Sequence, residues 1–151
     1  MGKDDPIRVF VTHVFTDHPD YHRVFEYLES STNFFYQNCS DPAAVPITGD
    51  KEQKKEALLA QIRAAEVVLV VSSMYSENRN WITFQIDAAQ AASLPIVAIE
   101  PFGGKGSIAA EVQARAAEIV PWNERVIVDA LRKHARHEDT KRWDVIEFDM
   151  S

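Results

Sequence analysis

Cysteine is almost missing: Cys39 is the only one in 151 residues, so no disulfide can close within the chain. A lone free thiol suits a reducing compartment better than a secreted setting. With a single cysteine and no HExxH pair among the five histidines, the usual zinc constellations are excluded as well, and no metal is expected. The start, Met1-Gly2-Lys3-Asp4-Asp5-Pro6, lacks the charged and apolar regions of a signal peptide. No apolar run approaches the ~20 residues of a membrane-spanning helix. The expected location is therefore cytoplasmic, with no membrane partner. Basic residues are in the minority, 16 against 23 acidic ones, for a net charge of −7. Such a surface repels phosphate backbones, and the longest basic stretch, Arg132 to His137, is too short to overturn that, so nucleic acid is not an expected partner either.

What remains is a soluble globular composition, 46% hydrophobic and 26% charged, in a chain long enough for one domain with a real core. The expectation is a single domain over 1–151, with 137–151 as a tail packing back on it. Ile7 to Thr12 reads as a buried strand, and Val67 to Val71, five aliphatic residues without alternation, as a strand covered on both faces. Phe34-Phe35-Tyr36, Ile96 to Ile99 and Glu118 to Val120 are further strand candidates. Helical periods run from Asp17 and Pro19 to Glu29, from Lys51 to Glu66, from Trp81 to Ser93 and from Glu124 to His134, with a short helix capped by Ser107. Asn38 to Asp50, with Pro42, Pro46 and Gly49, reads as a long loop.

Alternating strands and helices of this length predict an open, doubly wound, mainly parallel α/β sheet of about five strands in a three-layer sandwich, of the flavodoxin-like kind. Ligands in such sheets sit beyond the carboxyl ends of the strands. The candidate binding residues are accordingly Thr12 and His13, Asn38, Cys39, Ser40 and Asp41, Ser73 and Met74, and Trp81 at the start of the third long helix. Several sharper motifs fail. Gly103-Gly104-Lys105-Gly106 lacks the phosphate-loop spacing and follows the fourth strand, so it reads as a turn. Ser72-Ser73 has no flanking glycines for a nucleophile elbow, and nothing in the sequence sets a base beside Cys39. Asp4 and Asp5 precede the first strand, unlike a phosphoryl-accepting acidic patch.

The informative stretch is Tyr75 to Asp87, directly after the central strand. Trp81 and Gln85 are four apart and share a helix face, with Phe84 beside them. This segment resembles the strand–loop–helix of TIR and TIR-like domains, in which Trp is followed four residues later by a catalytic Glu. Arg8 to His13 resembles the first strand of the TIR-like proteins of the Thoeris anti-phage system, the ThsB type. Leu94 to Gly103 and Ala117 to Leu131 are similar to that family's fourth strand and closing strand–helix unit.

The resemblance implies that NAD is the substrate. The nicotinamide–ribose bond is broken to give a cyclic or conjugated ADP-ribose signal, which acts on an effector protein under a phage-derived trigger, in a homo-oligomer whose neighbouring chain helps complete the pocket. The chemistry is that of glycoside cleavage, where a carboxylate stabilises an oxocarbenium-like ribose. Here Gln85 occupies the carboxylate position. Glutamine still hydrogen-bonds but carries no negative charge and takes no proton at neutral pH. Gln85 thus fits either a disabled Glu-to-Gln form of the enzyme or a non-catalytic module that assembles or binds nucleotide.

Overall fold

The structure, a computed structural model, describes residues 4–14, 18–42, 50–75, 78–104 and 108–136. Among the described residues, five strands and five α-helices follow in chain order: β1 (Ile7–Val11), α1 (Pro19–Glu29), β2 (Tyr36–Asn38), α2 (Lys51–Arg63), β3 (Val67–Val71), α3 (Arg79–Ala91), β4 (Ile96–Ile99), α4 (Ala110–Arg115), β5 (Glu118–Val120) and α5 (Glu124–Arg136). The five strands form one parallel sheet in the order β2-β1-β3-β4-β5. The winding direction reverses between β1 and β3, so the topological switch point lies at their carboxyl ends, with helices on both faces. The chain is therefore an α/β sandwich of the flavodoxin-like kind.

Each element has a local cause. β3 is buried at every position because it is the central strand, which is why its sequence does not alternate. In β1 only Arg8 escapes burial. α1 opens with Pro19 in its first turn, and the His18 ring Nδ1 accepts from the Asp20 N–H at 3.1 Å. α2 carries a capping box: the Asp50 carboxylate accepts from Gln53 N while the Gln53 side chain accepts from Asp50 N. α3 ends in a Schellman turn, with Leu94 N donating to Ala89 O, Ser93 N to Gln90 O, and Ser93 at φ +60°. Pro95 then blocks any continuation.

Arg136 ties the end of α5 to the segment before β1 and to the turn between α2 and β3. Its guanidinium donates to Glu66 Oε1 at 2.5 Å and Oε2 at 2.9 Å, and to the Asp5 carboxylate at 2.8 and 3.2 Å. Glu66 also accepts from the Arg8 main-chain N–H at 2.9 Å. Burial alone would raise the Glu66 carboxyl, but the hydrogen bonds from Arg136 and Arg8 outweigh it and hold the group below its ordinary value.

The second strand departs from expectation. Phe34-Phe35-Tyr36 reads as the strand by apolarity, but the ladder runs over Tyr36–Asn38, pairing Ile7 with Tyr36 and Val9 with Asn38. This is an edge strand, so main-chain pairing with β1 chooses its register and burial does not. α3 starts two residues earlier than the periodicity places it and α2 stops three residues sooner. The Asp17 helix start, the Ser107 cap, Lys105 and Gly106, Ser76 and Glu77, and the 137–151 tail lie outside the described residues. No helix among the described residues is long and apolar enough to cross a membrane.

Candidate functional site

At the switch point the polar groups are spent on the fold. Thr12 is buried, and its hydroxyl oxygen accepts from Val71 N at 3.0 Å, bridging the diverging ends of β1 and β3. It does not face a crevice as its place at a strand tip predicts. The short turn Ser72–Met74 follows β3: Ser72 Oγ donates to Ile99 O at 2.5 Å, Ser73 Oγ donates to Asp20 Oδ2 at 2.5 Å, and Met74 is packed in the core. Asp20 is ion-paired with Arg23, whose guanidinium lies 3.8 Å from the Phe102 ring centroid. Beyond β1 and β3 the Ser73 hydroxyl thus reaches Asp20 of α1, and Met74 is a core residue.

Gln85 is 0% exposed. Its Oε1 accepts from His13 N at 3.1 Å, and its Nε2 donates to His13 O at 2.9 Å and to Trp81 O at 3.0 Å. The amide therefore replaces a strand partner for the peptide groups of His13, just past the end of β1. Its orientation corrects the expectation of a side chain facing a sugar. A carboxylate in this position has no N–H to give and sets an oxygen against the two carbonyls.

His13 is also 0% exposed, between the Phe10 ring at 5.7 Å and the Tyr21 ring at 6.2 Å. Its Nε2 lies 3.1 Å from Gln61 Oε1, an acceptor that makes Nε2 the protonated nitrogen. Burial pushes the ring below its ordinary value, with the Gln61 hydrogen bond and Asp41 opposing. Gln61 holds the Asp41 main chain at both ends, accepting from Asp41 N at 3.0 Å and donating to Asp41 O at 3.1 Å. Asn38, Cys39, Ser40 and Asp41 do come together, around a shallow cavity of about 650 Å³ that Tyr21 and Gln61 also line. Tyr21 Oη and Ser40 Oγ are 2.9 Å apart, and Asn38 Oδ1 accepts from Ser40 N at 2.9 Å. Burial, with Glu66 adding and Arg8 opposing, raises the Cys39 thiol, so it stays protonated near neutrality.

Trp81 lies elsewhere. Half-buried and edge-on to Phe84 with centroids 6.2 Å apart, it lines a groove of about 1080 Å³ between α2 and α3. The expected residues therefore divide: Thr12, His13 and Gln85 lock the β1 tip, Asn38 to Asp41 line one cavity, and Trp81 another. Sequence reasoning missed Lys51, Lys54 and Lys55, which line the same groove. Their i, i+3, i+4 spacing on a helix was the available signal.

Residues 10–105 match the family described as Thoeris protein ThsB, TIR-like domain. The chain belongs to that family. The match runs from β1 through α3 and β4, so this ThsB-type TIR-like domain includes both the Gln85 clamp and the Trp81 groove. No curated protein gives a significant match. The ThsB-type assignment makes the chain a TIR-like module of anti-phage defence; it assigns no reaction to Gln85.

Proposed function

We propose that this chain is a Thoeris TIR-like module that binds an NAD- or ADP-ribose-type nucleotide without breaking the nicotinamide–ribose bond. The observation that carries this reading is the inward amide of Gln85. Glycoside cleavage draws on a carboxylate beside the ribose carbon that becomes electron-poor. At the family's carboxylate position this chain has a neutral amide with both ends committed to the main chain of His13 and Trp81. Those contacts need a donor and an acceptor together, so they favour glutamine itself and count against a disabled glutamate. In this reading the module acts in the cytoplasm, self-associates, and passes a phage-triggered state to an effector protein by contact. A cyclic ADP-ribose product has no part in it.

The test is incubation of the chain, and of its Gln85→Glu variant, with NAD, followed by chromatography for nicotinamide. Neither is expected to release it, because a carboxylate entering the same cavity meets carbonyls and not ribose. Nicotinamide from either protein above the buffer control overturns the reading and restores the glycohydrolase one.

A further inference from the structure

The two edges of the sheet are built differently. At one, β5 carries Glu118 within its three residues, and Lys133 and His134 of α5 hold that carboxylate at 3.4 and 2.9 Å. A charge inside an edge strand is a common device against pairing with another chain. At the other edge, β2 has no such device. From Ser30 to Ser40 eleven residues pass without a charged side chain or a proline, in a chain that is 26% charged. Phe35 is 36% exposed, and Gln37 and Asn38 are exposed too. The strand is held firmly from the inner side: the Tyr36 ring stacks on both Phe34 and Phe25, the Tyr36 hydroxyl donates to Glu29 at 3.2 Å, and Arg132 donates to Asn33 O at 2.7 Å. Ile7 N donates to Phe35 O at 3.0 Å and Cys39 N to Val9 O at 2.8 Å, so the main chain at these two positions faces β1. Alternation along the strand turns the N–H and C=O of Tyr36 and Asn38 outward, where no strand among the described residues lies.

We propose that β2 is a strand-addition surface for a second copy of this chain, the two β2 strands pairing antiparallel about a twofold axis at Gln37 and joining the two sheets into one. In that register Tyr36 of each copy is opposite Asn38 of the other. Both positions present outward main-chain groups, so each pair exchanges two hydrogen bonds, about four in all. An axis one residue to either side needs Phe34, which precedes the ladder, or Ser40, whose N–H is already given to Asn38 Oδ1 at 2.9 Å. The two Gln37 side chains meet at the axis with Cα atoms about 4.5 Å apart, and Phe35 lies across from Cys39. A contact of this kind uses the same patch on both copies and closes at two. Charge chooses the same partner. Two chains of net charge −7 repel over most of their surfaces, and the uncharged strip from Ser30 to Ser40 is where they approach at least cost. The contact is short, so the dimer is weak and concentration-dependent. The inference rests on the reading above only for self-association, to which it gives a surface: nicotinamide release from NAD sinks the non-catalytic reading and leaves this interface standing.

The experiment is sedimentation equilibrium of the full chain from about 5 to about 500 μM, with amide hydrogen exchange read by NMR over the same range. A monomer–dimer equilibrium with Kd on the order of 10–100 μM is expected, and exchange at the Tyr36 and Asn38 amides should slow as concentration rises. Gln37→Lys sets two ammonium groups face to face and should weaken the dimer by at least about 5-fold, whereas Ala114→Lys, an equal charge at an exposed position of α4, should leave it unchanged. In a Cys39→Ser background, Gln37→Cys should cross-link two copies under mild oxidation, because directly opposed Cα atoms are within disulfide reach, and Ala114→Cys should not. Unaltered thermal melts establish that each variant is folded. A chain that is monomeric at every concentration overturns the proposal. So does a dimer indifferent to Gln37→Lys or weakened as much by Ala114→Lys, and so does a Gln37→Cys protein that fails to cross-link. Slow exchange at Tyr36 and Asn38 even in dilute solution means that another segment of the chain covers the edge, and overturns it too.

Discussion

Gln85→Glu is the most revealing single change, because the isosteric exchange alters little but charge and hydrogen-bond direction. In the structure Nε2 donates to His13 O and Trp81 O, and Oε1 accepts from His13 N. The carboxylate keeps only the last of these. Leaving the buried His13 carbonyl without its donor costs about 1–3 kcal/mol. Burying a charge against carbonyls adds more, so the total at neutral pH is expected near 3–5 kcal/mol. The folded state relieves part of this by protonating the new side chain, which raises its pKa above the unfolded value of about 4.3. Between those two values the folded chain holds a proton that the unfolded chain releases, so stability falls as pH rises, by up to about 1.4 kcal/mol per pH unit. Below the unfolded value the variant should come closest to the parent protein. Urea unfolding followed by circular dichroism from about pH 5 to about pH 8 measures the slope, with Gln85→Met as a control that loses the bonds without gaining a titrating group. If Gln85→Glu lies within about 0.5 kcal/mol of the parent near pH 8, with no slope relative to it, the amide is not the clamp described here.

Three further outcomes follow from other contacts. Thr12→Val keeps the shape of the side chain but leaves Val71 N without the hydroxyl it donates to, and should cost about 1–3 kcal/mol in urea unfolding; a loss too small to measure refutes the bridge. Glu66 is held below its ordinary value, so its contribution is complete above the unfolded pKa and disappears as pH falls through the folded one. Glu66→Gln should therefore cost about 1–2 kcal/mol near neutrality and flatten the acid limb of the stability–pH curve, as unfolding at a series of acidic pH values checks. Cys39, with its pKa raised by burial, should react with a disulfide reagent near pH 8 more slowly than a free cysteine, and the unfolded chain should lose that protection; equal rates contradict its placement.

Much of this molecule was legible as a pattern along the chain. Val67 to Val71 could only be a strand covered on both faces, and the stripes read over Lys51 to Glu66 and Glu124 to His134 had the period of helices packed on one side, found at Lys51–Arg63 and Glu124–Arg136. The second strand was not, because an edge strand is chosen by what it pairs with: Asn38 joins the ladder through Val9, although Phe34 is the more apolar and more buried residue. The candidate site was legible only in part. Asn38 to Asp41 and Trp81 do line cavities, whereas Thr12 and Ser73 point their hydroxyls at neighbouring elements. Position at a strand tip does not say which way a short polar side chain turns.

The sequence by itself determined the alternation of strands and helices, the parallel sheet, and the neutral amide in place of a carboxylate, because periodicity and residue type are local properties. Only the tertiary structure decided that this amide turns inward to the main chain of His13, 72 residues away, and that lysines of α2 face the aromatic residues of α3. Both depend on partners distant in the chain. A buried peptide group demands a hydrogen bond wherever the fold leaves it, and no pattern of residues records that demand before the fold exists.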